Sequence, residues 1–201
     1  MQYGPTLIAD AGFNTSDLND EIAAVILSLP LSFVRLLGTV IAITVIDAKG
    51  RRNVLLKTLP ILAISMIVIG AAFALFIFAE LEWLQSIGKW VALLGMVVFL
   101  FSYSAGMASI PWLINSEIYP LFLIGSASAL SAFVNWITSF TMTTIFFQTN
   151  FIVSLEVAGV CNLITYLFVR YFVQETGGNS ITKNIALMLN KSQREVTQFV
   201  Q

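Results

Sequence analysis

Five long apolar stretches, separated by short polar segments, dominate the pattern of hydrophobic and polar positions along the chain. An α-helix rises about 1.5 Å per residue, so about 20 apolar residues cross the roughly 30 Å hydrocarbon core of a bilayer. Each stretch therefore predicts a transmembrane helix, and the predicted spans cover residues 22–46, 54–79, 87–114, 121–147 and 151–173. Residues 1–13 are too short to span and are interpreted as the remnant of a truncated helix, and residues 174–201 are predicted to form a tail.

Composition places the chain among integral membrane proteins of the all-α class. Of its 201 residues, 58% are hydrophobic and 10% are charged, and the mean hydropathy is +0.88, whereas about a quarter of the residues in soluble domains are charged. Histidine is absent and Cys161 is the single cysteine, which removes the commonest metal ligand and general base. The sequence therefore predicts no enzyme chemistry, no cofactor and no metal site, and its scattered basic residues indicate no nucleic-acid partner.

Basic residues lie mainly at one set of connections, which predicts the orientation in the membrane. They flank the connection between the first two spans and recur in the tail, at Lys49, Arg51, Arg52, Lys57, Lys183, Lys191 and Arg194. On the opposite side, only Lys89 lies in a connection. Since cytoplasmic loops of membrane proteins carry the excess of lysine and arginine, that connection and the C-terminal tail are predicted to be cytoplasmic.

The third span combines a proline, a tryptophan and a carboxylate, which lie together between Gly106 and Pro120. Pro111 removes a backbone hydrogen bond, and a bilayer tolerates that loss only beside other helices or a water-filled cavity. Steps of three or four residues give one small and polar stripe, at Ser102, Gly106, Ser109, Trp112, Ser116 and Tyr119. The break therefore suggests a cavity, and the stripe is expected to face protein or water and not lipid. The nearly featureless second span is expected to face lipid.

Trp112 and Asn135 are candidate substrate-binding residues. The Trp112 ring suits stacking against the face of a ring-shaped polyol, and the alternative is an anchor at the membrane interface. Asn135 lies on a second polar stripe with Ser128 and Ser139. Its amide is able to bind hydroxyls or, as the alternative, to join two helices.

Arg35 is a third candidate for the substrate site, near the centre of the first span on a face with Ser32 and Thr39. A charge at that depth costs about 2.5–3.5 kcal/mol on insertion scales, so the guanidinium is expected to face a cavity or a partner. Three alternatives stay open: an anionic or otherwise altered ligand, pairing with a carboxylate in a part of the protein outside this chain, and a loss of constraint in a defective copy.

Charged residues at the predicted cytoplasmic ends of the spans form a candidate gate. It comprises Asp47, Arg51, Arg52, Glu117 and Glu175. Carboxylate and guanidinium groups at these ends are expected to form bidentate pairs that break when a cavity opens inward. The alternative is that the basic residues only follow the orientation rule.

Four motifs in this order resemble the carboxy-terminal half of a sugar porter of the major facilitator superfamily. They are DAKGRR at 47–52, PWLINSEIYPL at 111–121, NW at 135–136 and QETGG at 174–178. The NSEIYPL wording is most similar to proton-coupled myo-inositol transporters, within a family that includes facilitated glucose transporters. The resemblance implies one six-helix half of that fold, with its first helix truncated and five full transmembrane helices. It also implies substrate contacts at Trp112 and Asn135.

The chain departs from the family's pattern at four positions. Arg35 stands where the family commonly has an asparagine that helps to hold the sugar, and Ile124 stands where it usually has an arginine. Gln174 and Gly177 replace a proline and a lysine. These departures leave Glu117 with fewer expected partners.

The sequence therefore predicts transport of a sugar or polyol, of the hexose or myo-inositol class, by alternating access as the C-terminal part of a longer transporter. Symport or facilitated diffusion is the expected mode. The predicted partners are the substrate, the lipid bilayer and the missing N-terminal half, and the expected location is the plasma membrane. The alternative is a truncated, non-transporting membrane fragment or isoform.

Overall fold

The computed structural model describes residues 20–78, 81–179, 183, 184 and 186, with the side chains of 20–28, 78, 147 and 151 left aside. The expected helix remnant at residues 1–13 lies outside the described residues. Most of the predicted tail after residue 179 also lies outside them.

Six α-helices and one π-helical segment make up the described part of the chain, which contains no strand. They are α1 (Asp20–Lys49), α2 (Arg51–Phe78), α3 (Glu82–Ser102), the π segment (Tyr103–Met107), α4 (Ile110–Ile118), α5 (Ile124–Gln148) and α6 (Phe151–Tyr171). Because α3, the π segment and α4 form one continuous span over Glu82–Ile118, the described residues hold five spans long and apolar enough to cross a membrane. The expected all-α, polytopic architecture with five full spans is confirmed.

The connection between the first two spans is shorter than the sequence suggests. We expected a loop between residues 46 and 54, but α1 continues to Lys49 and α2 begins at Arg51. Gly50 alone makes the turn, with φ of 84°, in the left-handed region that favours glycine. A Cβ atom at Gly50 would lie 2.5 Å from a carboxylate oxygen of Glu175. The charged residues of the DAKGRR motif at 47–52 therefore lie at the end of α1 and the start of α2.

Helix α2 forms the centre of the described structure, between α3 and α6. Its residues Leu59, Leu62 and Ala63 are at most 1% exposed. The expectation that this span faces lipid is wrong for that face, because an apolar helix side packs against helices as readily as against lipid. Small residues permit the close approach: a Cβ atom at Gly88 would lie 2.9 Å from the Ala72 carbonyl oxygen.

Helix α5 is the least packed element of the described structure. It contacts α4 and α6, but none of the residues of its most apolar window is buried. Its polar side chains, mostly serine and threonine, therefore remain at the surface of the described helices. This helix carries Asn135, so its placement matters for the candidate site.

Candidate functional site

The third span breaks where the sequence predicts it. The Ala108 N–H donates to the Tyr103 carbonyl at 2.9 Å, a five-residue step that defines the π segment. Helix α4 then begins at Ile110 with Pro111 in its first turn, where a missing N–H leaves no helical bond unmade. The proline therefore starts a new helix and does not kink a continuous one.

The break divides the polar stripe that the sequence suggested. A π segment adds a residue to the turn, so residues before and after it no longer share one face. Ser102 and Gly106 are buried, and Gly106 packs directly against the Thr58 hydroxyl of α2. Trp112, by contrast, is 47% exposed. The stripe is therefore not one continuous face: its N-terminal part packs against protein, and its C-terminal part is open.

Helices α4 and α5 meet through a polar contact that sequence reasoning missed. The Ser131 hydroxyl donates to the Asn115 amide oxygen at 3.1 Å, and the Asn115 amide nitrogen donates to the Ser128 hydroxyl at 3.4 Å. Ser128 was assigned to the stripe of Asn135, but Ser131 was not. The sequence offered two signals for this contact: an asparagine three residues after Trp112 and a serine four residues before Asn135.

Trp112 and Asn135 lie on the two helices that this contact joins. The short connection at residues 119–123 makes α4 and α5 antiparallel neighbours. One turn back from Asn115 is Trp112, and one turn forward from Ser131 is Asn135, so the two candidates lie at a similar level. Both side chains are exposed, as a surface that contacts a ligand requires.

Arg35, the third candidate, lies on α1. Its helix, α1, packs against α3 and the π segment, and a Cβ atom at Gly38 would lie 2.8 Å from the Phe101 carbonyl oxygen. Arg35 is exposed, and its carbonyl accepts a hydrogen bond from the Thr39 hydroxyl at 3.0 Å. The guanidinium thus lies one turn before the contact between α1 and the break.

The candidate gate is assembled at one end of the helices around Arg51. Its guanidinium pairs with Glu117 at 3.1 Å and with Asp47 at 3.3 Å. The Arg51 and Glu117 side chains are 15% and 23% exposed, whereas Asp47 is 76% exposed. Since exposed pairs contribute little, the Arg51–Glu117 pair is the important one, and it joins the start of α2 to the end of α4.

Glu175 has a different role from the one expected. Its carboxylate accepts hydrogen bonds from the backbone N–H groups of Arg51 at 2.7 Å, of Arg52 at 3.1 Å and of Asn53 at 3.4 Å. It also accepts from the Gly177 N–H at 3.1 Å. Glu175 is therefore an N-terminal cap of α2, where the helix dipole favours a negative charge, and the expected carboxylate–guanidinium pair is replaced by backbone contacts.

Arg52 makes the complementary contact at a helix C-terminus. Its guanidinium donates to the Arg170 carbonyl oxygen at 2.7 Å, in the last turn of α6. The last carbonyls of a helix lack intrahelical partners and favour a positive charge. The positive charge of Arg52 thus joins the start of α2 to the carbonyl end of α6. The negative charge of Glu175 caps the N–H end of α2.

The second oxygen of Glu117 is buried without a hydrogen-bond partner among the described residues. The sequence predicted this shortage, because Ile124 stands where the family usually has an arginine. The Glu117 backbone carbonyl contacts the Asn184 amide nitrogen at 3.5 Å, and the same nitrogen donates to the Thr176 carbonyl at 3.3 Å. Glu117 therefore contacts Asn184 of the tail through its backbone carbonyl and Arg51 through its carboxylate.

Comparison with known proteins gives a family match over most of the chain. The model of the "Sugar (and other) transporter" family matches residues 1–186. Membrane transporter D1 of Leishmania donovani is 33% identical over 184 residues, which are 89% of this chain and 32% of the relative. Sugar transporter ERD6-like 6 of Arabidopsis thaliana is 30% identical over 188 residues, 89% of this chain and 36% of the relative. The chain spans about a third of the length of these relatives.

Solved structures give the same fold. The inward-open xylose transporter XylE from E. coli matches with a TM-score of 0.69 at 23% identity, over 92% of this chain and 41% of that one. The proton:xylose symporter XylE bound to 6-bromo-6-deoxy-D-glucose matches with a TM-score of 0.72 at 25% identity, over 91% of this chain and 38% of that one. The described helices therefore form part of a major facilitator fold.

The capping role of Glu175 is testable by comparison with Asp47. Glu175→Gln removes the charge from the start of α2 and weakens three backbone hydrogen bonds, so we expect it to lower the free energy of unfolding by about 1–2 kcal/mol. Asp47→Asn removes an equally charged but exposed partner and is expected to cost at most about 0.5 kcal/mol. Denaturant unfolding of the detergent-solubilised chain, followed by circular dichroism, measures both. Equal losses in the two variants would contradict the assignment.

Proposed function

The chain belongs to the family of sugar and other transporters, and on that premise we propose that it is the C-terminal part of a transporter that moves a sugar or polyol by alternating access. The observation that carries the proposal is one span, Glu82–Ile118, which holds an exposed Trp112 beside a helix break and an ion-paired Glu117 at its end. A substrate contact and a gate on the same element link binding to opening.

The proposed substrate is a ring-shaped polyhydroxyl compound of the hexose or myo-inositol class. The face of the Trp112 indole stacks on the apolar face of the ring, and the Asn135 amide both donates to and accepts from hydroxyls. Similar levels on antiparallel α4 and α5 support a joint contact by these two side chains. The names of the relatives, which include sugar transporters, favour the same class. We propose no enzyme activity.

The proposed gate is the contact of Arg51 with Glu117. When the cavity opens at this end, α4 moves away from the start of α2 and the pair separates. When the cavity closes, the pair forms again, while Glu175 and Arg52 keep α2 attached to α6. Buried charge pairs favour one registry of two elements over another more than they add stability, which suits a contact that must break in every cycle.

The second half of the transporter is proposed to come from sequence outside this chain. Alternating access needs two helix bundles that rock about a central site, and the chain spans about a third of the length of its relatives. The end that carries Arg51, Arg52 and Arg170 is proposed to be cytoplasmic, at the plasma membrane. The mode is symport or facilitated diffusion.

A second candidate function is that of a non-transporting membrane fragment or isoform. The unpartnered oxygen of Glu117 favours it, because the gate lacks one of the cations that the family usually supplies. Arg35 favours it as well, since a guanidinium stands where the family commonly has an asparagine. The two candidates predict different products of the complete reading frame: the transporter requires a second helix bundle, and the non-transporting fragment does not.

We expect the protein encoded by the complete reading frame that contains this chain to take up a labelled hexose or polyol saturably. Trp112→Ala and Asn135→Ala should each lower kcat/KM by about tenfold or more, because each removes a ligand contact. Thr141→Val is the matched control on α5, since among the described residues the Thr141 hydroxyl donates to the Ile137 carbonyl of its own helix. Uptake is measured in a host that lacks hexose and inositol transport. If none of the labelled hexoses and polyols that are tested were taken up, the result would favour the non-transporting fragment.

Arg35→Asn separates the interpretation of the mid-span charge as an intruder from the two interpretations in which it has a partner. If the arginine occupies space that a neutral sugar needs, the variant should take up neutral hexose or inositol several-fold faster. If the arginine binds an anionic ligand or a carboxylate of the other half, the variant should lose activity. Initial uptake rates are compared at equal surface expression. An unchanged rate would exclude both roles.

The proposed orientation is tested with an epitope tag placed after Gln201. An antibody added to intact cells should not bind the tag, and it should bind after the membrane is permeabilised, because the basic residues hold this end in the cytoplasm. Immunofluorescence before and after permeabilisation measures the difference. Binding to intact cells would reverse the orientation.

A further inference from the structure

The contact between Asn115, Ser128 and Ser131 links two helices that otherwise pack loosely. The Ser131 hydroxyl donates to the Asn115 amide oxygen, and the Asn115 amide nitrogen donates to the Ser128 hydroxyl, at 3.1 and 3.4 Å. All three side chains are partly buried. The Asn115 amide group is thus hydrogen-bonded to residues on two successive turns of α5.

Helix α5 has few other means of fixing its rotation. None of the residues in its most apolar window is buried, so it lacks the interdigitated side chains that orient a packed helix. The described hydroxyls of Thr141 and Thr144 bond carbonyls of their own helix and join nothing across helices. Among the described residues, the hydrogen bonds to Asn115 are therefore a directional contact for a helix that buries little apolar surface.

The rotation of α5 decides where Asn135 points. Ser128 and Asn135 are seven residues apart, and Ser131 and Asn135 are four apart, so all three lie within about 60° of one another around the helix. Holding the two serines against α4 therefore directs Asn135 towards the same side. Along the axes, Asn135 lies about 6 Å beyond Ser131 and Trp112 about 4.5 Å before Asn115.

We propose that Asn115 is a positioning residue for substrate recognition: by hydrogen bonding to Ser128 and Ser131 it sets the rotation of α5 and so brings Asn135 to the level and side of Trp112. The inference rests on the proposed function, since it assigns Asn135 and Trp112 to one substrate site. Asn115 itself need not touch the substrate. Its amide is engaged with α5, one helical turn nearer the gate than the proposed ligand contacts.

The contact itself is tested without transport, by disulfide trapping in the full chain. Cys161 is the single cysteine, so Cys161→Ser gives a background free of other thiols. Asn115→Cys with Ser131→Cys should form a disulfide under mild oxidation in membranes, detected by mass spectrometry of the linked peptides. The control pair is Ser116→Cys with Ser131→Cys, because the Ser116 hydroxyl bonds the Leu113 carbonyl of its own helix. No linked peptide from the first pair, or equal yields from both, would overturn the inference.

The positioning role is tested by uptake kinetics in the protein encoded by the complete reading frame. Asn115→Val and Ser131→Ala should each raise KM about three- to tenfold, the effect of an ordinary hydrogen bond. A residue that only stabilises the fold would lower the amount of active transporter and leave KM unchanged. The reciprocal exchange, Asn115→Ser with Ser131→Asn, keeps an amide and a hydroxyl at the contact and should return KM to within about threefold of the unsubstituted value.

The outcomes separate this inference from the proposed function. Uptake with an unchanged KM in Asn115→Val, at equal surface expression, overturns the positioning role and leaves the transporter proposal intact. Failure of the reciprocal exchange to lower KM below that of the single variants also overturns it. Absence of uptake from the unsubstituted protein overturns the proposed function, and the positioning role with it, even where the disulfide forms.

Discussion

The absence of water from the bilayer core is the constraint on which this structure depends. Every backbone N–H and C=O in that region needs an internal partner, so the helices run nearly without interruption and their unpaired groups gather at the ends. The charged side chains of the candidate gate lie at those ends. Glu175 accepts from the first N–H groups of α2, and Arg52 donates to a last carbonyl of α6. The candidate gate is built on these two helix ends.

The same constraint explains why the one break within a span is important. Between Ser102 and Ile110 the third span passes through a π segment and a turn before a new helix begins. The buried half of that region is accommodated by close approach, Gly106 to Thr58 and Gly38 to the Phe101 carbonyl. The second half turns Trp112 outwards. A local change in helical repeat therefore separates a packing surface from an exposed one within eleven residues.

Tight and loose packing are divided between α2 and α5. Helix α2 is packed against α3 and α6 and is capped at its N-terminus, where the residues of the candidate gate lie. Helix α5 has no such burial, and polar contacts to Asn115 replace it. Among the described residues, directional hydrogen bonds thus supply an orienting contact for α5 that apolar burial does not supply.

The sequence by itself determined the five spans, the break at Pro111 and the family, because hydrophobic length and proline chemistry are local and the motifs lie at fixed positions in the chain. It also anticipated that Glu117 would have fewer partners, from the isoleucine at position 124, and one of its two carboxylate oxygens has none among the described residues. It did not determine that Gly50 alone makes a turn, that Glu175 caps α2, or that Asn115 binds Ser128 and Ser131. The contacts of Glu175 and of Asn115 join residues that come together only when the helices pack. The groups that Glu175 and Asn115 contact are backbone N–H groups and serine hydroxyls, which no sequence motif distinguishes. Tertiary structure decided them because a helix end or a polar side chain in a bilayer takes whichever partner the neighbouring helix presents.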